Sequence, residues 1–170
     1  MVNVRQEPAA RFNVLLTEDR PRTPGHWTLQ VPRLLEPQGV VSYLAHTGRE
    51  AVALAGRCQI HAAVLDLATP VDEFEQAAPS PEEAGLWLIE LFRRLPNRPP
   101  IIIIHNAAYS QRLLGRIMNA ALRVGAFSML GKPVDLEQLL TVFQRLVERE
   151  YSGAWPRPQL EGPSEDSSNS

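Results

Sequence analysis

The sequence predicts an α/β protein built on a doubly wound, parallel sheet. Five short apolar runs of strand length alternate along the chain with five segments whose apolar residues recur at helical spacing. Strands that alternate with helices pair in parallel through right-handed crossovers, and the helices then cover both faces of the sheet. Residues 101–104 are four consecutive isoleucines, as expected of a strand that is buried on both faces.

The first half of the chain contains three of the predicted strands and two of the predicted helices. β-Branched and aromatic residues, or an apolar run followed at once by charge, indicate the strands. Pro32 lies inside the first helix and lacks a backbone donor, so this helix should be kinked or begin late, and Gly39 should end it. The strands are predicted at residues 13–17, 40–45 and 61–66, and the helices at 27–35 and 48–56.

Capping signals mark the helices of the second half. Ser80, Pro81 and Glu83 supply a hydroxyl N-cap, a proline at the first helical position and a glutamate at the third. Gly125 closes the fourth helix, and Asp135 lies near the positive end of the fifth. The strands are predicted at residues 101–104 and 127–130, and the apolar stripes of the helices run from 81 to about 94, from 113 to 122 and from 136 to 147.

The chain predicts one folded domain with two flanking segments. Its 170 residues, 44% of them hydrophobic, leave little room for a second domain. We expect a flexible N-terminus over residues 1–11, a domain over 12–149 and a disordered tail, rich in Pro, Gly, Ser and acidic residues, over 150–170. Acidic residues, prolines and alanines without core periodicity predict an inserted loop over residues 69–81.

Composition and charge exclude several functional classes. A net charge of −2 without a dense basic run argues against a nucleic-acid surface. Cys58 is the only cysteine, which excludes an intramolecular disulfide and a cysteine metal cluster. No segment approaches the roughly 20 apolar residues that span a bilayer, and residues 1–11 lack the core of a signal peptide. We therefore expect a soluble, cytoplasmic protein without membrane contact.

Charged residues follow three of the predicted strands. Asp66 ends the third strand, the pair Glu18 and Asp19 follows the first, and Lys132 follows the fifth. In a doubly wound sheet, ligands bind at the carboxyl ends of the strands. A divalent cation such as Mg²⁺ would relieve the repulsion among clustered carboxylates, and Lys132 would add a point charge. With phosphoryl oxygens neutralised in this way, Asp66 can attack phosphorus in line and hold the group as an acyl phosphate.

Three segments resemble the signature segments of receiver domains from two-component response regulators. They are residues 16–19, 63–70 and 125–133, and the likeness covers about residues 12–149. The resemblance implies a flavodoxin-like fold with strand order 2-1-3-4-5. It also implies Mg²⁺ and phosphoryl transfer from a sensor histidine kinase or a histidine phosphotransfer protein.

The resemblance assigns roles to individual positions. Asp66 matches the phosphoacceptor, Glu18 and Asp19 match the acidic pair that holds the metal, and Lys132 matches the lysine of the site. Ala68 matches the residue whose backbone carbonyl completes the metal shell. A receiver of this kind is no enzyme beyond assisting its own phosphotransfer and dephosphorylation. It signals to a downstream protein through the face of the fourth and fifth helices, and a homodimer is one option.

The chain departs from the receiver pattern at the residues that respond to phosphorylation. His105, or Asn106 if the register differs by one, stands where receivers carry Ser or Thr, and Met129 stands at the usual aromatic position. The connection from Asp66 to Gly85 is about ten residues longer than in the family, which corresponds to the inserted loop.

These departures leave two interpretations open. One is a stand-alone receiver that accepts a phosphoryl group on Asp66, because the tail is too short to contain an output domain. The other is a phosphorylation-independent, receiver-like interaction module. A phosphohydrolase is weaker because the residues after Asp66 lack a second aspartate for acid/base work. No glycine-rich phosphate loop follows any predicted strand, which argues against nucleotide binding.

Overall fold

The structure, a computed structural model, describes residues 11–19, 25–73 and 80–151, without the side chains of residues 81 and 82. The predicted N-terminal segment up to residue 10, residues 74–79 of the predicted inserted loop and all but the first two residues of the predicted tail lie outside these ranges.

Within the described residues the fold is a five-stranded parallel sheet in the order β2-β1-β3-β4-β5. The predicted α/β class and strand order are therefore confirmed. The strands are β1 (Phe12–Thr17), β2 (Val40–Ala45), β3 (Ala62–Asp66), β4 (Ile101–His105) and β5 (Ser128–Gly131). The helices are α1 (Trp27–Leu35), α2 (Gly48–Arg57), α3 (Pro81–Arg93), α4 (Gln111–Val124) and α5 (Leu136–Glu150).

Helix α1 has the bounds that the sequence predicts and does not begin late. It begins at Trp27 despite the internal Pro32, and His26 caps it by accepting a hydrogen bond from the Thr28 N–H at its Nδ1 atom, 3.4 Å away. The cap satisfies a donor that the first turn leaves without an intrahelical partner. After Leu35 the chain continues as a short 3₁₀ helix, and Gly39 then ends it in the left-handed region at φ 82°.

Alternate residues of the strands divide the core into two layers. Val14, Leu16 and Val64 belong to a cluster that includes apolar side chains of α1 and α5. Leu15, Ala63 and Leu65 belong to a second cluster, completed by α2, α3 and α4. Successive residues of a strand point to opposite faces, so the two clusters lie on the two sides of the sheet. The four isoleucines of β4 contribute to both layers and are buried, as predicted.

The first residues of the predicted inserted loop are packed against α2. The carbonyls of Pro70 and Val71 accept hydrogen bonds from the N–H groups of Gly48 and Arg49, at 2.8 and 3.2 Å. Arg49 also forms an ion pair with Asp72, with Nε and Oδ2 2.9 Å apart. These carbonyls satisfy donors at the start of a helix, which would otherwise need water or a capping side chain. The segment that follows Asp66 is therefore tied to α2.

Gly48 leaves room for an indole ring of α3. A Cβ atom at Gly48 would lie 2.7 Å from Cζ3 of Trp87, whereas a Cβ atom at Gly56, in the same helix, would meet nothing within 4 Å. We expect Gly48→Ala to lower the free energy of unfolding by about 1–3 kcal/mol, because the ring must shift.

Gly56→Ala is the matched control and should leave the free energy of unfolding unchanged or raise it by up to about 1 kcal/mol, since alanine favours helix. Urea denaturation of both variants measures the difference. Equal stabilities would show that Trp87 moves aside without cost.

His61 joins the amino ends of β1 and β3. Its Nδ1 accepts a hydrogen bond from the Asn13 N–H at 2.8 Å, and its ring stacks on Phe12 with centroids 5.0 Å apart. Burial lowers the pKa of His61. The folded state thus binds fewer protons than the unfolded state between this lowered pKa and about pH 6.5.

The contribution of His61 to stability should therefore be complete above about pH 6.5 and be lost as the pH falls through that window. Denaturation curves between about pH 5 and 8 measure the effect. In His61→Gln, which has no titrating ring, the pH dependence should be shallower. A wild-type and a variant curve of equal slope would contradict the assignment.

Candidate functional site

Asp66 is fixed at the carboxyl end of β3 by hydroxyl and backbone hydrogen bonds. The residue is fully buried, and its backbone N–H donates to Thr17 Oγ1 at 2.8 Å. Thr69 donates its own hydroxyl to the same Thr17 oxygen at 2.9 Å. The Ala68 N–H donates to Asp66 Oδ1 at 3.0 Å. The carboxylate is therefore held by β1 and by the turn that follows β3.

Lys132 brings two carboxylates together at this edge of the sheet. Its Nζ lies 2.9 Å from Asp66 Oδ2 and 3.3 Å from Asp19 Oδ2. Its backbone N–H donates to the carbonyl of His105 at 2.8 Å, which continues the pairing of β4 with β5. Residues that follow β1, β3 and β5 thus meet where the sequence predicts a site.

The charges of this group influence one another. Burial raises the pKa of Asp66, and the nearby Asp19 raises it further, although the attraction of Lys132 and the Ala68 N–H oppose the shift. Burial lowers the pKa of Lys132, but the charges of Asp66 and Asp19 outweigh it, so the net pKa is raised. Lys132 is therefore a cation at neutral pH, and it does not offset the whole cost of burying the Asp66 carboxylate.

The oxygen atoms of the site fit a magnesium ion. Asp66 Oδ2 is buried, and no donor among the described residues meets it with hydrogen-bonding geometry, although the ammonium group of Lys132 is close. Mg²⁺ takes one or two carboxylates and keeps several waters. Asp19, Asp66 and the carbonyl of Ala68 would provide such a set of ligands.

Glu18 does not join Asp19 and Asp66 in one group. Among the described residues, no three His, Cys, Asp or Glu side chains are placed to hold a metal ion together. Glu18 is 2% exposed, and its Oε1 lies 2.6 Å from His46 Nδ1. Its Oε2 accepts a hydrogen bond from the Thr28 hydroxyl at 2.9 Å. The structure therefore directs the first residue of the acidic pair toward α1 and the β2–α2 loop.

His105 is the last residue of β4, and Asn106 lies beyond the strand, so His105 is the residue at the carboxyl end of β4. It pairs with Gly131 of β5, and Asn106 begins the following turn by accepting a hydrogen bond from the Ala108 N–H at 2.9 Å. The His105 ring stacks on Tyr109, with centroids 6.5 Å apart and planes at 29°. Met129 of β5 and Tyr109 both pack, half-buried, against the second core cluster.

Sequence reasoning missed several residues that shape the site. Thr17 and Thr69 position Asp66, His46 and Thr28 bind Glu18, and Tyr109 contacts His105. Thr17 had a local signal, because a hydroxyl directly precedes the acidic pair at the end of a buried strand. The others come from loops and helices whose approach depends on the folded chain.

Comparisons with known proteins identify the fold. No protein-family model matches the chain, and no curated protein sequence matches it. Among solved structures, the chemotaxis response regulator CheY4 of Vibrio cholerae is 23% identical with a TM-score of 0.59, over 81% of this chain and 99% of that chain. The non-phosphorylated HemR receiver domain from Leptospira biflexa is 22% identical with a TM-score of 0.58, over 81% and 94%.

The chain has the fold of a response-regulator receiver domain. A further structure with this fold is a response regulator from Burkholderia pseudomallei with a phosphorylated aspartic acid, a calcium ion and citrate. It is 23% identical with a TM-score of 0.54, over 86% of this chain and 75% of that chain. The part of this receiver fold that the structure describes contains no helix long and apolar enough to cross a membrane.

Thr17 offers a test of how Asp66 is held. Thr17→Val removes the acceptor of the buried Asp66 N–H, so we expect the free energy of unfolding to fall by about 1–3 kcal/mol. Thr17→Ser keeps the hydroxyl and should cost only about 0.8 kcal/mol for the lost methyl group. Denaturant titration measures both values, and a valine variant as stable as the serine variant would refute the role of the hydroxyl.

Proposed function

We propose that this protein is a receiver that accepts a phosphoryl group on Asp66 from a histidine kinase or a histidine phosphotransfer protein, in a Mg²⁺-dependent reaction. The observation that carries the proposal is the buried Asp66 carboxylate, paired with Lys132 at the carboxyl edge of a receiver-type sheet. Clustered charge of this kind has no use in packing the core. The fold supports the same conclusion, because β1 and β3 flank the switch in strand order where doubly wound proteins bind ligands.

The residues divide the chemistry between them. An oxygen of Asp66 attacks phosphorus as the bond to the donor's imidazole nitrogen breaks, and the electron pair of that bond returns to the imidazole. Lys132 neutralises the phosphoryl oxygens, and Asp19 with the Ala68 carbonyl and Asp66 would hold the metal. Bound Mg²⁺ supplies further positive charge against these oxygens. Beyond this transfer and the later loss of the group, the proposal includes no enzymatic activity.

The output surface is proposed on the face of α4 and α5. Two large apolar residues of α4 are exposed, Met118 at 50% and Leu122 at 78%. They are four residues apart and so lie on one side of the helix. Two exposed apolar side chains on one side of a helix suit contact with a protein partner.

A second function is favoured by the residues around His105. The ring of His105 replaces the hydroxyl that receivers use to sense the phosphoryl group, and Met129 replaces the aromatic switch residue. A receiver fold with both changes suits an interaction module that binds its partner without phosphorylation. The two functions share the fold and differ in whether Asp66 is modified.

Treatment with Mg²⁺ and acetyl phosphate separates these functions. We expect intact mass to show one added phosphoryl group on the wild-type protein and none on Asp66→Asn. Asp72→Asn, which alters an acid outside the site, is the control and should be modified like the wild type. An unmodified wild-type protein would contradict the proposal that Asp66 accepts a phosphoryl group.

Amide chemical shifts then report on signalling. Beryllium fluoride and Mg²⁺ should move the resonances of β4 and α4 in the wild-type protein and leave Asp66→Asn unchanged. Modification without any shift in α4 would retain Asp66 as the acceptor but would reject output through that helix.

A further inference from the structure

Glu18 is a buried carboxylate whose two oxygens are bound by different parts of the chain. Thr28 Oγ1 of α1 lies 2.9 Å from Oε2, and His46 Nδ1 of the β2–α2 loop lies 2.6 Å from Oε1. The Glu18 side chain is 3% exposed. A carboxylate removed from water in this way needs hydrogen bonds to remain charged, and these two donors provide them.

Both donors are themselves held in place. The His46 N–H donates to Glu50 Oε2 at 2.8 Å, so the first turn of α2 fixes the loop that carries the imidazole. Thr28 is buried in the first turn of α1, which His26 caps. The Glu18 carboxylate therefore connects the end of β1 to the starts of two helices. Moving it toward the sheet edge would break contacts to both.

We infer that Thr28 and His46 are positioning residues that hold Glu18 out of the metal site. The metal site of the resting protein then consists of Asp19, Asp66 and the Ala68 carbonyl. Glu18 has a structural role instead, because it connects the end of β1 to α1 and to the β2–α2 loop. Releasing Glu18 would add a third carboxylate to the site and tighten divalent-cation binding. This inference rests on the proposed function, because it assumes that Mg²⁺ binds at Asp66.

The first test compares the two acids of the pair with Mg²⁺ alone as the probe. Amide shifts of residues 66–68, followed during a MgCl₂ titration, give the dissociation constant without any phosphoryl donor. We expect Asp19→Asn to weaken binding by about tenfold or more, the scale on which groups around a metal alter its affinity. Glu18→Gln should stay within about twofold of the wild type, because Glu18 would not contact the metal.

The outcomes separate this inference from the proposed function. Equal weakening by Glu18→Gln and Asp19→Asn would overturn the inference, because both acids would then be ligands, while the Mg²⁺ site would stand. A wild-type protein that binds no Mg²⁺ would overturn the proposed function and the inference with it. Weakening by Asp19→Asn alone supports both.

The second test releases Glu18 by removing the donors that hold it. Thr28→Val and His46→Phe each remove one donor at similar size, and each should tighten Mg²⁺ binding by several-fold, whereas Thr28→Ser keeps the hydroxyl and should not. Adding Glu18→Gln to either variant should abolish the gain. A gain that survives this addition would overturn the inference. Should either release variant fail to fold, the comparison of Glu18→Gln with Asp19→Asn alone shows whether Glu18 contributes to Mg²⁺ binding.

Discussion

The ion pair between Asp66 and Lys132 is the interaction on which the arrangement at the sheet edge depends. It joins the end of β3 to the residue after β5, although β4 lies between them. Lys132 can reach Asp66 because its backbone N–H binds the carbonyl of His105 and so extends the β4–β5 pairing by one residue. A buried carboxylate without this cation would carry the full cost of desolvation, which is several kcal/mol for an ion. The pair therefore makes a charged site compatible with a packed sheet.

The sequence predicted the fold well because its local signals agree with one another. Ser80, Pro81 and Glu83 start α3 where predicted, and Gly125 ends α4 in the left-handed conformation. The bounds of α1 were predicted but its N-cap was not, because His26 acts as the cap although histidine is not a usual capping residue. The predicted inserted loop has no core periodicity in its sequence, yet Val71 is buried and the carbonyls of Pro70 and Val71 accept hydrogen bonds from the start of α2. Both differences arise from contacts that periodicity does not encode.

The sequence predicted those members of the site whose place depends on the backbone alone. Asp66, Asp19 and Lys132 meet because parallel strands bring their carboxyl ends to one edge, whatever the side chains do. Glu18 follows the same strand as Asp19, but its direction depends on Thr28 and His46, which come from separate elements. Although Glu18 and Asp19 are adjacent, Glu18 binds Thr28 and His46 while Asp19 meets Lys132, so an acidic pair cannot be assumed to serve one ligand. The sequence therefore predicts which residues lie at the carboxyl edge of the sheet. Which of the acidic side chains face the site depends on their hydrogen-bond partners in the folded chain.

If Asp66 is phosphorylated as proposed, the residues around His105 would give a different coupling from that of a hydroxyl switch. A small Ser or Thr side chain can be drawn toward a phosphoryl group and leave a space behind it. His105 is larger, and its ring already lies against Tyr109 and faces Gly131, where a Cβ atom would sit 3.7 Å from Cε1. Its backbone carbonyl accepts a hydrogen bond from the Lys132 N–H, so the end of β4 is fixed. We therefore expect any response to phosphorylation of Asp66 to move His105 and Tyr109 together, because packed side chains transmit a displacement to their neighbours. Tyr109 lies one residue before the N-cap of α4, so even a small displacement of that pair reaches the start of the helix that carries Met118 and Leu122.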